Sequence, residues 1–174
     1  MDNLQIDLTS DKPLVMGILN ITPDSFYDGG QRSTIPQYLK HCERMLIEGA
    51  DIIDIGAIST RPGADELDFN QELARLLPIV KSIKQEFPSA YISIDTWRSE
   101  IARTLHQEGI NMINDISGGL FDSLMKPTIK ECHLAYVMMH IQGRPGNMQQ
   151  SPSYEDVVQE VFSYLKEEAD QLKK

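Results

Sequence analysis

Five short apolar segments recur along this 174-residue chain, and polar residues and a stretch with helical periodicity follow each of them. Apolar runs of this length, without alternation, are typical of strands that are buried on both faces of a parallel sheet. Repeated strand–helix units with short connections therefore predict an α/β fold. The predicted strands are residues 14–20, 52–56, 91–94, 110–113 and 134–139.

The segments between these strands predict helices. The first opens near Pro36, after a cap at Ser33 or Thr34. The second contains Pro78, which should kink the helix or shift its start. Residues 1–13 are expected to form a lead-in strand or arm. The second helix is predicted at residues 69–87, and the later helices from about Ile101 to Gly109, at 121–132 and at 153–172.

The polar residues that end the strands distinguish between two parallel architectures. An open sheet binds ligands where its strand order reverses, whereas every strand of a β/α barrel contributes from its carboxyl end. Here all five strands end in polar residues, which favours the barrel. We therefore predict that residues 1–174 form a single domain, part of a TIM (β/α)8 barrel. The strand-end residues are Asn20, Ser59-Thr60-Arg61, Asp95, Asn114 and His140.

The predicted barrel is incomplete. A complete one needs eight strands and about 250 residues, and this chain supplies about five β/α units. We expect the chain to be the N-terminal part of a longer protein. A complementing partner chain or a degenerate remnant are the alternatives.

Composition excludes several classes of function. A net charge of −10 argues against binding to nucleic acids or anionic membranes, which requires a basic surface. The sequence has no apolar run long enough to span a bilayer and no secretory signal pattern, so we expect a cytoplasmic protein. Cys42 and Cys132 are expected to be reduced thiols packed in helices.

Three strand ends suggest chemistry. Asp95 and Asn114 together offer a carboxylate and an amide, which suit the N–C–NH2 edge of a flat heterocycle such as a pterin or guanine. Capping of the third helix by Asp95 is an equally good interpretation. Asn20 offers a neutral oxygen ligand to Mg2+, or it bonds to its own loop.

Other polar residues at strand ends also allow two interpretations, one functional and one structural. Thr60 and Arg61 offer a hydroxyl and a guanidinium to an anion, or they lie in a solvated turn. His140 is favoured as a structural histidine, because no nucleophile stands near it in the sequence.

Five motifs, in this order and spacing, resemble the dihydropteroate synthase family: MGILNITPDSFYDGG, DIGAISTRPGA, ISIDT, INDISGG and MMHIQGRPGNMQ. The resemblance runs from about Val15 to the end of the chain. It implies a barrel that is usually dimeric and a transferase of folate biosynthesis, the target of sulfonamides. The implied reaction joins 6-hydroxymethyl-7,8-dihydropterin diphosphate to p-aminobenzoate and releases diphosphate.

The resemblance also implies roles for particular residues. Asn20 would contact the Mg2+ that bridges the diphosphate. Two mobile loops would form the p-aminobenzoate pocket and hold the diphosphate, the first with Asp24 and Phe26. The second loop would contribute Thr60, Arg61 and Pro62. Asp95 and Asn114 would bind the pterin edge, and Ile116 and Met139 would line its ring.

The sequence departs from the family pattern in two places. Ala57 and Ile58 stand where the family usually has Gly and Glu, so we expect the second loop to lack the family's usual bracing but to keep the Thr60-Arg61 pair. The family's later strands, with further pterin and diphosphate ligands, are not in this sequence. We therefore expect the 174-residue chain alone not to turn over. A pterin-binding remnant or partner subunit without activity is the alternative function, and a pterin-dependent methyl-transfer domain is a more distant one.

The mass of the natural protein tests whether the barrel continues. A complete barrel of about 250 residues corresponds to roughly 28 kDa or more, and we expect mass spectrometry of the intact natural protein to give such a value. A mass of 19.7 kDa would contradict this expectation and favour an unfinished barrel.

Overall fold

The computed structural model describes residues 6, 11–21, 34–57, 67–148 and 150–173. Strands and helices alternate along these residues, as the sequence predicts. The strands are β1 (Met16–Asn20), β2 (Ile52–Gly56), β3 (Tyr91–Asp95), β4 (Met112–Asp115) and β5 (Ala135–Met138). The helices are α1 (Ile35–Ile47), α2 (Phe69–Glu86), α3 (Ser99–His106), α4 (Met125–Cys132) and α5 (Val157–Lys173).

The strands form one parallel sheet in the consecutive order β1-β2-β3-β4-β5. Right-handed crossovers that always step in the same direction place all their helices on the same side of the sheet. A doubly wound sheet would instead reverse its order and carry helices on both faces. The consecutive order therefore gives an arc of a β/α barrel, which agrees with the predicted fold.

Alternate residues of each strand face the helices, which we call the outer face of the sheet. They form the main hydrophobic core with apolar residues of α1 to α4, among them Cys42 and Cys132, both of which are buried free thiols as predicted. The strand residues in this core are Leu19, Ile53, Ile55, Ile92, Ile94 and Ile113.

The opposite, inner face of the sheet begins with an apolar layer and becomes polar toward the carboxyl ends of the strands. Ile52, Tyr91 and Met112 are buried together there, and Ile6 from the N-terminal segment packs against them. Asp54 and Ser93 lie two residues further along β2 and β3 than Ile52 and Tyr91, and both are also buried. The inner face therefore concentrates its polar atoms where a barrel carries its ligand site.

The predicted bounds of β4 were wrong by two residues. The sequence predicts residues 110–113, because Asn114 and Asp115 are polar, but the strand runs from Met112 to Asp115. The backbone ladder continues through the polar pair, since the Asn114 carbonyl accepts from the N–H of Thr96 at 3.1 Å. Backbone pairing, not side-chain polarity, sets the end of this strand.

Two helices begin later than predicted, and in both cases an aspartate explains the start. Asp122 accepts from the N–H of Leu124 at 2.9 Å, and this turn delays α4 to Met125. Asp156 accepts from the N–H of Gln159 at 3.0 Å and caps α5, which was expected from residue 153.

Pro78 does not shift the start of the second helix. Asp68 caps α2 by accepting from the N–H of Gln71 at 2.9 Å, and one helix then runs from Phe69 to Glu86 with Pro78 inside it. The cap thus fixes the start independently of the proline.

The two edge strands of the described sheet, β1 and β5, and the last helix expose apolar side chains to solvent. Among the described strands, β1 and β5 each have one neighbour. Ile18 on β1 is 61% exposed, and Phe162 on α5 is also 61% exposed. The predicted apolar face of α5 is therefore covered only toward its carboxyl end, where Leu172 packs against the core. No helix in the described part of the chain has the length and apolar character needed to cross a membrane.

A buried ion pair connects α2 to the loop after β3. Glu72 is fully buried, and its carboxylate accepts from the Thr96 hydroxyl at 2.6 Å and from the Arg98 guanidinium. Burial raises the pKa of Glu72, and its two bonds oppose that rise. Arg98 also donates to the Leu67 carbonyl at 2.6 Å, so it links the loop after β3 to the backbone just before α2.

Replacing Arg98 is expected to destabilise the protein strongly. Arg98→Ala would leave the Glu72 carboxylate buried without its counter-charge, which costs about 3–5 kcal/mol of unfolding free energy. Urea denaturation of the intact protein measures this loss. The control is Arg44→Ala, because Arg44 pairs with Glu48 at 3.7 Å on an exposed helix face and such pairs contribute at most about 1 kcal/mol. Similar losses in both variants would contradict the prediction.

Candidate functional site

Three of the predicted strand-end residues, Asn20, Asp95 and Asn114, lie in one row across the sheet. Asn20 pairs with Gly56, Gly56 with Asp95, and Asp95 with Asn114. Residues paired in parallel strands project from the same face, and neighbouring strands lie about 4.8 Å apart. The register therefore brings Asn20, Asp95 and Asn114 together on the inner face, at the carboxyl end of the sheet.

Gly56 provides the space between Asn20 and Asp95. A Cβ atom on Gly56 would lie 3.3 Å from Oδ2 of Asp95 and 3.6 Å from Oδ1 of Asn20. The side-chain oxygens of the two residues therefore border the same small gap. Any larger residue at position 56 would fill it.

Asp95 does not cap the third helix, which removes the alternative raised by the sequence. Helix α3 begins at Ser99, whose N–H donates to the Asp122 carboxylate at 2.7 Å. The carboxylate of Asp95 has no hydrogen bond to any described residue. It is thus available to a ligand.

The surroundings of Asp95 disfavour its charge. Burial is the main reason that the pKa of Asp95 is raised to about 7. Three nearby carboxylates add to the rise, those of Asp54, Glu72 and Asp115. A group that brings N–H donors to Asp95 would stabilise its ionised form and lower this pKa. A pKa raised in this way is typical of functional sites.

Asn114 is held by a carboxylate that the sequence interpretation missed. Its Nδ2 donates to Oδ2 of Asp54 at 3.1 Å. Asp54 lies in the middle of β2 and is buried, and its Oδ1 has no partner among the described residues. The sequence does contain a signal for the importance of Asp54, because this residue interrupts the apolar run Ile52-Ile53-Asp54-Ile55. A carboxylate in a buried strand is costly unless it has a hydrogen-bonding or ionic partner.

Asp115 is a second missed carboxylate, and it braces the turn after β4. It accepts from the N–H of Ser117 at 2.7 Å, from the N–H of Gly119 at 2.9 Å and from the Tyr136 hydroxyl at 2.7 Å. Gly118 has a φ of +59°, and a Cβ there would lie 2.6 Å from the Tyr164 hydroxyl. The turn therefore requires glycine and holds the backbone on either side of Ile116.

Ile116 and Met139 stand directly after β4 and β5. Ile116 is half-buried and Met139 is 37% exposed. Their positions at the same end of the sheet as Asn114 are compatible with the predicted apolar lining. His140 packs edge-on against Tyr164, with ring centroids 5.1 Å apart, which supports the structural role expected for it.

The two predicted mobile loops lie outside the described residues. Asp24 and Phe26 of the first loop belong to this part of the chain, as do Thr60, Arg61 and Pro62 of the second. The structure therefore does not test their roles. It does show Ala57 buried, with its carbonyl accepting from Arg75 at 3.2 Å.

The relatives of this chain include bacterial dihydropteroate synthases. That of Escherichia coli is 44% identical over 160 residues, which cover 90% of this chain and 55% of the relative. That of Synechocystis is 42% identical over 156 residues, covering 90% of this chain and 54% of the relative. The chain thus spans about half the length of these relatives.

Solved structures give the same result. The Yersinia pestis dihydropteroate synthase, solved with a sulfonamide drug, matches with a TM-score of 0.85 and 38% identity, over 96% of this chain and 59% of that one. The Xanthomonas albilineans dihydropteroate synthase, solved with 4-aminobenzoic acid, matches with a TM-score of 0.80 and 35% identity, over 93% and 56%.

The family model described as pterin binding enzyme matches residues 16–174, which include all five strands and the whole row from Asn20 to Asn114. Sequence motifs, fold and comparisons agree, and the chain belongs to the pterin binding enzyme family.

Proposed function

We propose that the intact protein is a dihydropteroate synthase, which condenses 6-hydroxymethyl-7,8-dihydropterin diphosphate with p-aminobenzoate to give 7,8-dihydropteroate and diphosphate. The observation that carries this proposal is the row of Asn20, Asp95 and Asn114 on the inner face. The similarity to synthases from several bacteria supports it.

The pterin would be recognised by Asp95 and Asn114. The ionised Asp95 accepts two parallel N–H bonds from the ring N–H and amino group of the pterin edge. Asn114, its neighbour in the row, contributes an amide oxygen and a second N–H that bonds to no described residue. In this proposal Ile116 and Met139 line the flat ring of the pterin.

The reaction exchanges one bond for another at the pterin methylene carbon. The bond from this carbon to the diphosphate oxygen breaks, and the diphosphate leaves with the electron pair. The amino nitrogen of p-aminobenzoate forms the new bond and loses a proton to solvent. Positive charge develops on the pterin meanwhile, and the ionised Asp95 carboxylate stabilises it.

Asn20 fits a Mg2+ ion that is shared with the substrate. Mg2+ prefers phosphate oxygens and water, and needs few protein ligands. A single amide oxygen at the end of β1 suits this pattern, and the described residues contain no group of three or more acidic, histidine or cysteine side chains arranged to hold a metal. When bound, Mg2+ would neutralise charge on the diphosphate. Thr60, Arg61 and Pro62, with Asp24 and Phe26, are proposed to hold the diphosphate and p-aminobenzoate.

The oligomeric state, location and partners of the intact protein are also proposals. We propose that the intact protein is a homodimer and acts in the cytoplasm. Its partners are small-molecule substrates. The net charge of −10 supports the absence of nucleic acid among them.

Turnover by the intact natural protein tests this function. Incubated with the pterin diphosphate, p-aminobenzoate and Mg2+, it is expected to form dihydropteroate at a saturable rate, and a sulfonamide should compete with p-aminobenzoate. Asn20→Ala should raise the Mg2+ concentration needed for half-maximal activity. Gln159→Ala removes an exposed amide on α5 and should change nothing.

Chromatographic detection of dihydropteroate decides the outcome. No product from the intact protein with both substrates and Mg2+ would contradict the synthase function. Pterin binding without product would then favour the inactive pterin-binding alternative.

The pH dependence of pterin binding tests the role of Asp95. The carboxyl is largely protonated below pH 7 in the free protein, given its pKa of about 7, and the pterin binds its ionised form. Affinity for 6-hydroxymethylpterin should therefore rise by about tenfold per pH unit below that pKa and level off above it. Titration calorimetry across this range measures the effect.

The matched control is Asp95→Asn, which keeps the shape and removes the titrating group. Its affinity should be lower above pH 7 and should lose the part of the pH dependence that belongs to Asp95. The part that remains reports titration of the ligand. Identical pH profiles for the parent and Asp95→Asn would refute this role.

A further inference from the structure

Asp54 is a buried carboxylate that stability alone does not explain. It occupies the centre of β2, in register with Ser93, one layer below the row that contains Gly56 and Asp95. Its Oδ1 is buried without a partner in the described part of the structure. A buried polar atom without a hydrogen bond costs stability, and an apolar residue would suit a buried strand better. Local rules of this kind are broken mainly at functional sites.

The one hydrogen bond that Asp54 makes within the described residues goes to Asn114. The Asn114 Nδ2 donates to Oδ2 of Asp54 at 3.1 Å. An ionised carboxylate can only accept hydrogen bonds, whereas an amide has a donor end and an acceptor end. The bond therefore selects one of the two flips of the Asn114 side chain, with its nitrogen toward Asp54.

The flip of Asn114 determines what a ligand meets at this position. With Nδ2 held by Asp54, the amide presents its oxygen and one remaining N–H. In the opposite flip the oxygen would face the Asp54 carboxylate, and a ligand N–H would meet the amide nitrogen instead of an acceptor. Asp95 is the register neighbour of Asn114, so a ligand that reaches the Asp95 carboxylate is in reach of this amide.

We propose that Asp54 is a positioning residue for pterin recognition, which fixes the orientation of the Asn114 amide so that its oxygen and free N–H match the amino-pyrimidinone edge of the ligand. This role rests on the proposed function of the site. Asp54 acts through Asn114, and its effect should disappear when Asn114 has no amide.

A double-mutant cycle tests the role. The dissociation constant of 6-hydroxymethylpterin is measured by titration calorimetry for the intact natural protein, for Asp54→Leu, for Asn114→Ala and for the double variant. Removing a partner of a buried hydrogen-bonding group weakens an interaction by about 5- to 150-fold, and we expect a loss in this range for Asp54→Leu. In the Asn114→Ala background the same change should cost less than about threefold.

Additive losses in the cycle would overturn the role, because Asp54 would then act independently of Asn114. So would an Asp54→Leu variant that binds the pterin as tightly as the parent. A parent that binds no pterin would overturn the proposed function itself, and this role with it. The two failures are distinguished by whether the unsubstituted protein binds.

Two further variants separate positioning from a general effect on folding. Asp54→Asn keeps the shape and an oxygen that can accept from Asn114, so its affinity should lie between those of the parent and Asp54→Leu. It replaces Asp54→Leu in the cycle if the latter does not fold, as judged by thermal unfolding. Ser93→Ala removes a buried, unpartnered hydroxyl from the same layer and should leave the affinity unchanged. A loss for Ser93→Ala equal to that for Asp54→Leu would overturn the role.

Discussion

The need to compensate buried carboxylates organises the carboxyl end of this sheet and the loops around it. A carboxylate that is removed from water must be paired, be hydrogen-bonded or take up a proton. Glu72 is compensated by Thr96 and Arg98. Asp115 is compensated by two backbone N–H groups and by the Ser117 and Tyr136 hydroxyls. These bonds also hold the loops after β3 and β4 in place.

Asp95 differs from these two carboxylates because no described residue compensates it. Its raised pKa is the direct consequence, since burial and the neighbouring carboxylates both favour the acid form. Asp54 is an intermediate case, with one oxygen bonded to Asn114 and the other unpartnered. The site is thus prepared for a ligand that supplies N–H donors, and the edge of a pterin has this chemistry. Among the described residues, Glu72 and Asp115 have hydrogen-bonding partners, whereas Asp95 has none.

The polar character of the site is possible because the sheet has two different faces. The outer face carries isoleucine and leucine residues that pack against the helices and supply the hydrophobic core. The inner face contributes less to the hydrophobic core, so it can hold the polar side chains of Asp54, Asp95 and Asn114. Gly56 adds to this by leaving space between Asn20 and Asp95. Stability and ligand chemistry are therefore divided between the two faces of the same strands.

Local patterns in the sequence determined the strand–helix alternation, the barrel-type fold and the placement of Asn20, Asp95 and Asn114 at strand ends, because apolar runs and helical periodicity are properties of neighbouring residues. The bounds of β4 and the first residues of α4 and α5 were not determined in this way. Backbone pairing sets the end of β4, and aspartate turns set the starts of the two helices. Only the tertiary structure decided that Asp54 bonds to Asn114, which is 60 residues away, and that Asp95 has no hydrogen-bonding partner among the residues the structure describes. The register of parallel strands sets these contacts, and burial on the inner face sets the charge state. Neither can be derived from the spacing of residues along the chain.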